Sequence, residues 1–145
     1  MNRHQKAMNE AKICSKLSPY HRYKIGAVLH LKNGKKYYAY NCDKSHPLQG
    51  IFSNLQHHLE PSKRKKVQIN NYLHAEIYAI TLALRENSYK DLHNSTIYVY
   101  RTPNNGNEFA MCRPCSTCYS ALRYFKISKM FYTSNESDFV MENVT

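Results

Sequence analysis

Two short segments of this chain gather residue types that bind metals and move protons: His74-Ala75-Glu76 and Pro114-Cys115-Ser116-Thr117-Cys118. Each falls at the start of a predicted helix. Residues three apart share a helix face, so Cys115 and Cys118 can point at one ion. A helix N-terminus favours negative charge, which lowers thiol pKa values and predicts that both sulfurs are thiolates. Pro114 suits the first helical turn and helps fix where the second helix begins. One histidine and two cysteines make three protein ligands, leaving tetrahedral zinc one position for water, as in a catalytic site. Glu76, two residues past the histidine, leaves the ligand face at an angle that reaches such a water without binding the metal. A carboxylate there can take and pass a proton, a role with no use in a closed structural zinc site.

The elements that position these residues follow from apolar spacing. Ala7, Ala11, Cys14 and Leu17 recur at helical intervals within Asn2–Leu17, and Pro19 closes that helix. Lys24–Leu31 and Lys35–Tyr40 read as strands joined at the Asn33-Gly34 turn. Residues 42–71 read as a long irregular stretch holding His46-Pro47, His57-His58 and the basic run Lys63-Arg64-Lys65-Lys66. Leu73–Arg85 is a helix with Ile77, Ile80 and Leu84 on one side, Thr96–Tyr100 a strand, and Cys115–Phe125 a helix. Lys129–Thr133 is a strand and Phe139–Val144 a last short one. Only residues 134–145 follow that fourth strand, too few for a crossover helix and a parallel partner, so the last strand should run antiparallel. The order predicts one domain over 1–145, an α/β sandwich around a single mixed sheet.

Composition narrows the setting. Among the 145 residues, Lys and Arg outnumber Asp and Glu by 21 to 10, giving a net charge of +11 that favours contact with phosphate. The basic run Lys63–Lys66 is either part of such a contact or a solvated patch. No apolar stretch is long enough to span a bilayer, and the first ten residues lack the apolar core of a signal peptide. Three of the five cysteines cluster between Cys112 and Cys118, which points to metal chemistry in a reducing, cytoplasmic setting rather than to disulfides. Cys14 and Cys42 read as small buried residues. Cys112 forms a second Cys-x-x-Cys pair with Cys115 but precedes the helix, and reads as a bystander. His46, with Cys42 or the His57-His58 pair, is a candidate for a second zinc, against the plainer reading of polar surface.

His-x-Glu followed by Pro-Cys-x-x-Cys resembles the signature of the zinc-dependent cytidine and deoxycytidylate deaminase superfamily. Lys24-Ile25-Gly26-Ala27-Val28 is similar to the family's first-strand motif, whose backbone lines the base pocket. Asn41 falls where members place an asparagine that contacts sugar or base, and Lys44–Gln49 is similar to deaminase-like proteins of phages. The resemblance spans Ala11–Thr133. It implies a three-layer α/β/α sandwich, with zinc on His74, Cys115 and Cys118 and an activated water attacking carbon 4 of cytosine. It implies Glu76 as proton shuttle, the Cys115 backbone N–H near the attacking oxygen, and substrate contacts at Ala27, Asn41, Ala75 and Pro114.

The substrate so implied is a free nucleoside or nucleotide, most simply deoxycytidylate, with cytosine or adenine within RNA or single-stranded DNA as the alternative. A catalytically inactive zinc-stabilised binding module is a lesser alternative, which Glu76 argues against. Relatives commonly associate, so a homo-oligomer is open, and one of Tyr37, Tyr38 and Tyr40 is a candidate for the pocket rim.

Overall fold

Five strands form one mixed sheet in the order β2-β1-β3-β4-β5. The computed structural model describes residues 2–20, 22–44, 46–59, 72–104, 107–137 and 139–145, with 55–59 described by backbone alone. β1 (Ile25–His30) turns through Asn33-Gly34 into antiparallel β2 (Lys36–Tyr40), and Gly34 takes the positive φ of 91° that the turn requires. β1 also pairs antiparallel with β3 (Thr96–Arg101), which pairs in parallel with β4 (Lys129–Tyr132). β5 (Val140–Asn143) returns antiparallel along β4, as the short tail predicts.

Helices cover both faces. α1 (Arg3–Lys16) begins where the Asn2 side chain accepts the Gln5 N–H at 2.8 Å, and it lies on one face against Val28, Tyr98, Tyr100 and Phe131. A Cβ at Gly26 would land on the Ala11 carbonyl and the Ser15 backbone nitrogen, so glycine is what lets α1 cross β1 this closely. Tyr98 and Tyr100, which alternate with Ile97 and Val99 along β3, are buried in this layer as ordinary sheet packing. The opposite face carries α2 (Pro47–Leu59), α3 (Ala75–Leu84) and α4 (Ser116–Tyr124) over a larger core that includes Leu29, Ile77, Ile80, Ile97, Leu122 and Met130. Each of these is essentially inaccessible to solvent, and burying such a side chain contributes about 1.5–3 kcal/mol. The three-layer sandwich expected from the sequence is the fold.

One element departs from the sequence reading. Residues 47–59 are helical, not irregular. Pro47 stands at the first helical position, where its missing N–H costs nothing, and Phe52 packs against Tyr124 and Phe125 at 5.7 and 6.1 Å between ring centroids. Gly50 inside the helix weakens its local signal by about 1 kcal/mol relative to alanine, so burial rather than propensity holds it. The Lys63–Lys66 run lies outside the described residues, as do the side chains of His57 and His58.

Candidate active site

His74 and Cys115 occupy equivalent places in their helices. Each is the N-cap residue, in extended backbone conformation (φ −73°, ψ 150° and φ −65°, ψ 168°), and neither side chain caps its own helix. Pro114 therefore sits one residue before the cap rather than inside the first turn. Because neither side chain is tied to its own helix end, the imidazole and the thiol are free to converge. His74 Nδ1 lies 3.2 Å from Cys118 Sγ and 3.6 Å from Cys115 Sγ, and the three donor atoms lie within 4.8 Å of one another. Among the described residues this is the one group of three or more such side chains placed to share a metal ion. A nitrogen and two sulfurs at this spacing fit zinc, leaving one tetrahedral position for a small ligand.

The chain entering α3 is fixed from several sides. Leu73 pairs with Cys42 in an isolated antiparallel bridge, and the His74 N–H donates to Gln49 Oε1 at 3.1 Å. The Tyr72 ring stacks on the His74 ring at 4.9 Å with 23° between planes, and Tyr20 stacks on Tyr72 from the other side. His74 is thus held by backbone and ring at once.

Electrostatics in the cluster are strongly coupled. A hydrogen bond from Cys118 and the neighbouring His74 bring the Cys115 thiol down to about 4, against the opposing effect of burial. The Cys118 thiol goes the other way: burial, its hydrogen bond to Cys115 and the nearby Cys115 and Glu76 charges all push it up. These opposite directions belong to the side chains by themselves; a zinc ion between the two sulfurs would favour the charged form of both, as the sequence reading expects. Burial pulls the His74 pKa down, but the hydrogen bond to Cys115 and that thiolate's charge raise it overall. Glu76 is buried, 5% exposed, and burial raises its carboxyl pKa against the opposing pull of His74.

These groups open into a pocket of about 240 Å³ lined by Tyr23, Ile25, Asn41, Tyr72, Ala75, Glu76, Arg101 and Met111, among others. Of the substrate contacts the sequence suggested, Asn41 and Ala75 are in this wall. Ala27 and Pro114 are not among its lining residues; Ala27 is fully buried in the core. Asn41 also holds the wall together. Its Oδ1 accepts from the Ile25 N–H and the Ser18 hydroxyl, and its Nδ2 donates to the Tyr23 carbonyl, leaving one N–H for a ligand.

Cys112 is not in the metal group. Its thiol sits 3.2 Å from the Val99 carbonyl and 2.9 Å from the Thr133 hydroxyl, and burial pushes its pKa up to about 12. His46 accepts the Leu48 N–H on Nδ1, and no second metal group involving it or Cys42 occurs among the described residues. None of the five cysteines is in a disulfide. Tyr37, Tyr38 and Tyr40 do not reach the pocket: Tyr37 bonds Glu86, Tyr38 bonds Glu10 and Tyr40 packs on Tyr78.

The residues that sequence reasoning missed are Tyr23, Tyr72, Arg101, Met111 and Arg113. Arg101 lies over the Tyr23 ring at 5.4 Å, and its Nε is buried without a partner. Arg113 is committed elsewhere, donating from Nε and Nη2 to Glu142 at 3.1 and 2.7 Å.

An α/β/α sandwich thus presents one histidine and two cysteines from two helix starts, placed so that they could share a metal ion, with a buried carboxylate beside them. The chain belongs to the cytidine and deoxycytidylate deaminase family, whose zinc-binding-region model matches residues 1–134. Solved structures of the same fold include the cytidine deaminase of Burkholderia pseudomallei (16% identity, TM-score 0.63, covering 99% of this chain and 94% of that one). The dCMP deaminase of cyanophage S-TIM5 is similar at 17% identity and a TM-score of 0.57, covering 91% and 84%. The cytidine deaminase of Mycobacterium leprae is similar at 12% identity and a TM-score of 0.60, covering 99% and 95%. Among curated proteins, none matches the chain. No described helix is long and apolar enough to cross a membrane.

Proposed function

We propose that this chain is a zinc-dependent deaminase that converts cytosine to uracil in a free nucleotide, with dCMP as the substrate. The observation that carries the reading is the convergence of the His74, Cys115 and Cys118 donors with buried Glu76 on one pocket that Arg101 also lines. His74, Cys115 and Cys118 would hold the zinc, which when bound makes water nucleophilic near neutral pH. Glu76 takes a proton from the attacking water and delivers it to the ring nitrogen. It then takes the second proton from the hydroxyl now on carbon 4 and delivers it to the amino group, which leaves as ammonia while the carbonyl forms. Its burial suits that exchange, because desolvation raises the carboxyl and makes it a better proton acceptor than a solvated one. The Asn41 N–H that its own clasp leaves over, and Ala75, are the proposed contacts to sugar and base.

Support for a mononucleotide comes from scale and charge. A pocket of about 240 Å³ lies at or below the usual range of small-ligand sites, so it suits one base with its sugar. Arg101, braced on Tyr23 and lacking a carboxylate partner among the described residues, offers a phosphate its charged N–H groups at the pocket wall. The cyanophage S-TIM5 relative has been crystallised with dCMP and dUMP, which agrees with a nucleotide substrate.

The test is ammonia release from cytosine, cytidine, deoxycytidine, CMP, dCMP and cytosine-containing oligonucleotides, with Glu76→Gln alongside. The expected result is turnover of dCMP above the others, and a loss of at least about a hundredfold in Glu76→Gln with zinc retained. Activity on oligonucleotides alone, falling steeply with salt, would instead assign the positive charge to a nucleic-acid backbone.

A further inference from the structure

His74 turns one ring nitrogen, Nδ1, toward Cys118 and Cys115, at 3.2 and 3.6 Å. A histidine that binds a metal usually donates its other ring N–H to a carboxylate or carbonyl, and that bond sets the orientation of the ring. Among the described residues, no carboxylate or carbonyl bonds His74 Nε2. The helix end does not hold the ring either, because His74 caps α3 in extended conformation without a side-chain cap bond. What remains against the imidazole is a face, that of Tyr72. We infer, on the reading of His74, Cys115 and Cys118 as zinc ligands, that Tyr72 is a positioning residue of the metal site. Its ring, backed by Tyr20, sets the plane of the His74 imidazole and so the reach of Nδ1.

The stack follows from the local chain. Leu73 sits in the bridge with Cys42, and its N–H lies 3.1 Å from the Cys42 carbonyl and 2.8 Å from that of Lys44. In extended chain alternate residues leave on the same side, so Tyr72 and His74 present their rings to each other across Leu73. The rings meet at 4.9 Å between centroids with 23° between planes. Tyr20 lies on Tyr72 at 4.9 Å and 16°. Tyr23 stands edge-on to both, 5.0 Å from Tyr20 at 63° and 6.2 Å from Tyr72 at 67°. Stacked and edge-on contacts at these distances are the arrangements that aromatic rings favour. Tyr72 is therefore confined on a face and an edge by tyrosines, and offers its other face to His74.

The supporting rings are anchored in turn. The Tyr20 N–H donates to the Ser18 hydroxyl oxygen at 3.2 Å, and that hydroxyl donates to Asn41 Oδ1 at 2.6 Å. Asn41 Nδ2 donates to the Tyr23 carbonyl at 3.0 Å, and the Arg101 guanidinium covers the Tyr23 ring at 5.4 Å. One buried asparagine thus ties down the chain on either side of Tyr20, and the tyrosines pass that rigidity to Tyr72. Gln49 and the Cys42 bridge fix only the backbone of this segment; two side-chain torsions still separate it from Nδ1. A ligand whose torsions are already set loses less freedom when the metal arrives, so the stack should appear as metal affinity.

The experiment is zinc competition between the full chain and a chromophoric chelator, with the visible spectrum of the cobalt(II)-loaded chain as second readout. Tyr72→Phe keeps the ring and should bind zinc as the parent does, with the same cobalt bands. Tyr72→Leu keeps apolar bulk without the flat face. It should bind zinc about tenfold more weakly and shift the bands that report ligand geometry. Tyr20→Leu leaves Tyr72 in place without its backing, and should lose affinity in the same direction but less. Tyr40→Leu is the packing control, because Tyr40 meets Tyr78 edge-on at 6.0 Å and does not line the pocket; its zinc affinity should match the parent. Parent-like affinity and bands in Tyr72→Leu would overturn the proposal. So would an equal loss in Tyr40→Leu, which would make the effect one of general packing, or in Tyr72→Phe, which would assign it to the hydroxyl. Should Tyr72→Leu fail to fold, Tyr20→Leu carries the test, and parent-like behaviour there overturns the proposal. A parent that bound no zinc would overturn the ligand assignment and this inference together, whereas a zinc-binding parent indifferent to Tyr72 overturns this inference alone. Neither readout uses deaminase activity.

Discussion

Gln49 Oε1 accepts the backbone N–H of His74 at 3.1 Å, from a side chain that is 1% exposed. The first orphan donor of α3 is thereby satisfied by α2, and the histidine placed to face a metal takes its position relative to that neighbouring helix. Gln49→Leu leaves that buried N–H unpaired, which costs about 1–3 kcal/mol. The variant should unfold at a lower urea midpoint and bind zinc about 10–100-fold more weakly in a chelator competition. Unchanged zinc affinity would show that Gln49 stabilises the fold without positioning His74.

Cys118 and Cys112 are both buried thiols, yet they should respond oppositely to alanine substitution. Cys118 Sγ approaches His74 Nδ1, whereas Cys112 faces Val99 and Thr133. Cys118→Ala should lose zinc by metal analysis and with it the stability that metal binding adds. Cys112→Ala should keep about one zinc per chain and lose only the packing of a small buried side chain, on the order of 1 kcal/mol. Full zinc in Cys118→Ala would undo the ligand assignment.

The same contrast explains what the sequence could and could not convey. Ligand spacing is local: Cys115 and Cys118 sit one turn apart and His74 two residues from Glu76, so their convergence is legible once both helix starts are placed. The β1–β2 hairpin is legible because Asn33-Gly34 states its turn. The wall of the pocket is not local. Ile25 pairs with Arg101 across β1 and β3, and this register brings Tyr23 under the Arg101 guanidinium. Nothing in the segment around Arg101 announces that partner. The helix at Pro47–Leu59 was obscured for a related reason: it contains Gly50, exposes Ile51, and depends on Phe52 meeting Tyr124 and Phe125. Asn41 was found, but its amide mostly serves the backbone of Ile25 and Tyr23, a role that only the folded chain displays.

Glu142 on β5 ties the last strand to the segment before α4. It accepts two hydrogen bonds from Arg113 and one from the Tyr132 hydroxyl at 2.8 Å, and Arg113 holds its carboxyl below the usual value of 4.5. A depressed folded pKa means the contribution is complete above the unfolded value and is lost as pH falls through the lower folded one. The Glu142 side chain is 34% exposed, so solvent screening limits the pair to about 1 kcal/mol or less. Glu142→Gln should therefore lower the urea midpoint slightly at pH 7, and the difference from the parent should narrow as pH falls below the usual value of 4.5. A gap that did not narrow with falling pH would assign the effect to packing rather than charge.

Arg101 separates a nucleotide substrate from a nucleoside. Its guanidinium lies over Tyr23, its Nη1 is 3.5 Å from the Met111 carbonyl, and Nε has no partner, so most of its donors are available at the pocket wall. Arg101→Gln removes the charge and leaves a shorter polar side chain. If the guanidinium receives the phosphate of dCMP, that contact is present in both ground and transition states, and its loss raises KM with little change in kcat. A charge-assisted hydrogen bond is worth about 1.5–3 kcal/mol, which corresponds to roughly a 10–150-fold rise in KM for dCMP. Deoxycytidine lacks the phosphate, so its kcat/KM should change by less than about threefold, within the spread expected for a side chain that does not touch the ligand. Equal losses on both substrates would mean that Arg101 braces Tyr23 and the pocket wall instead of binding phosphate.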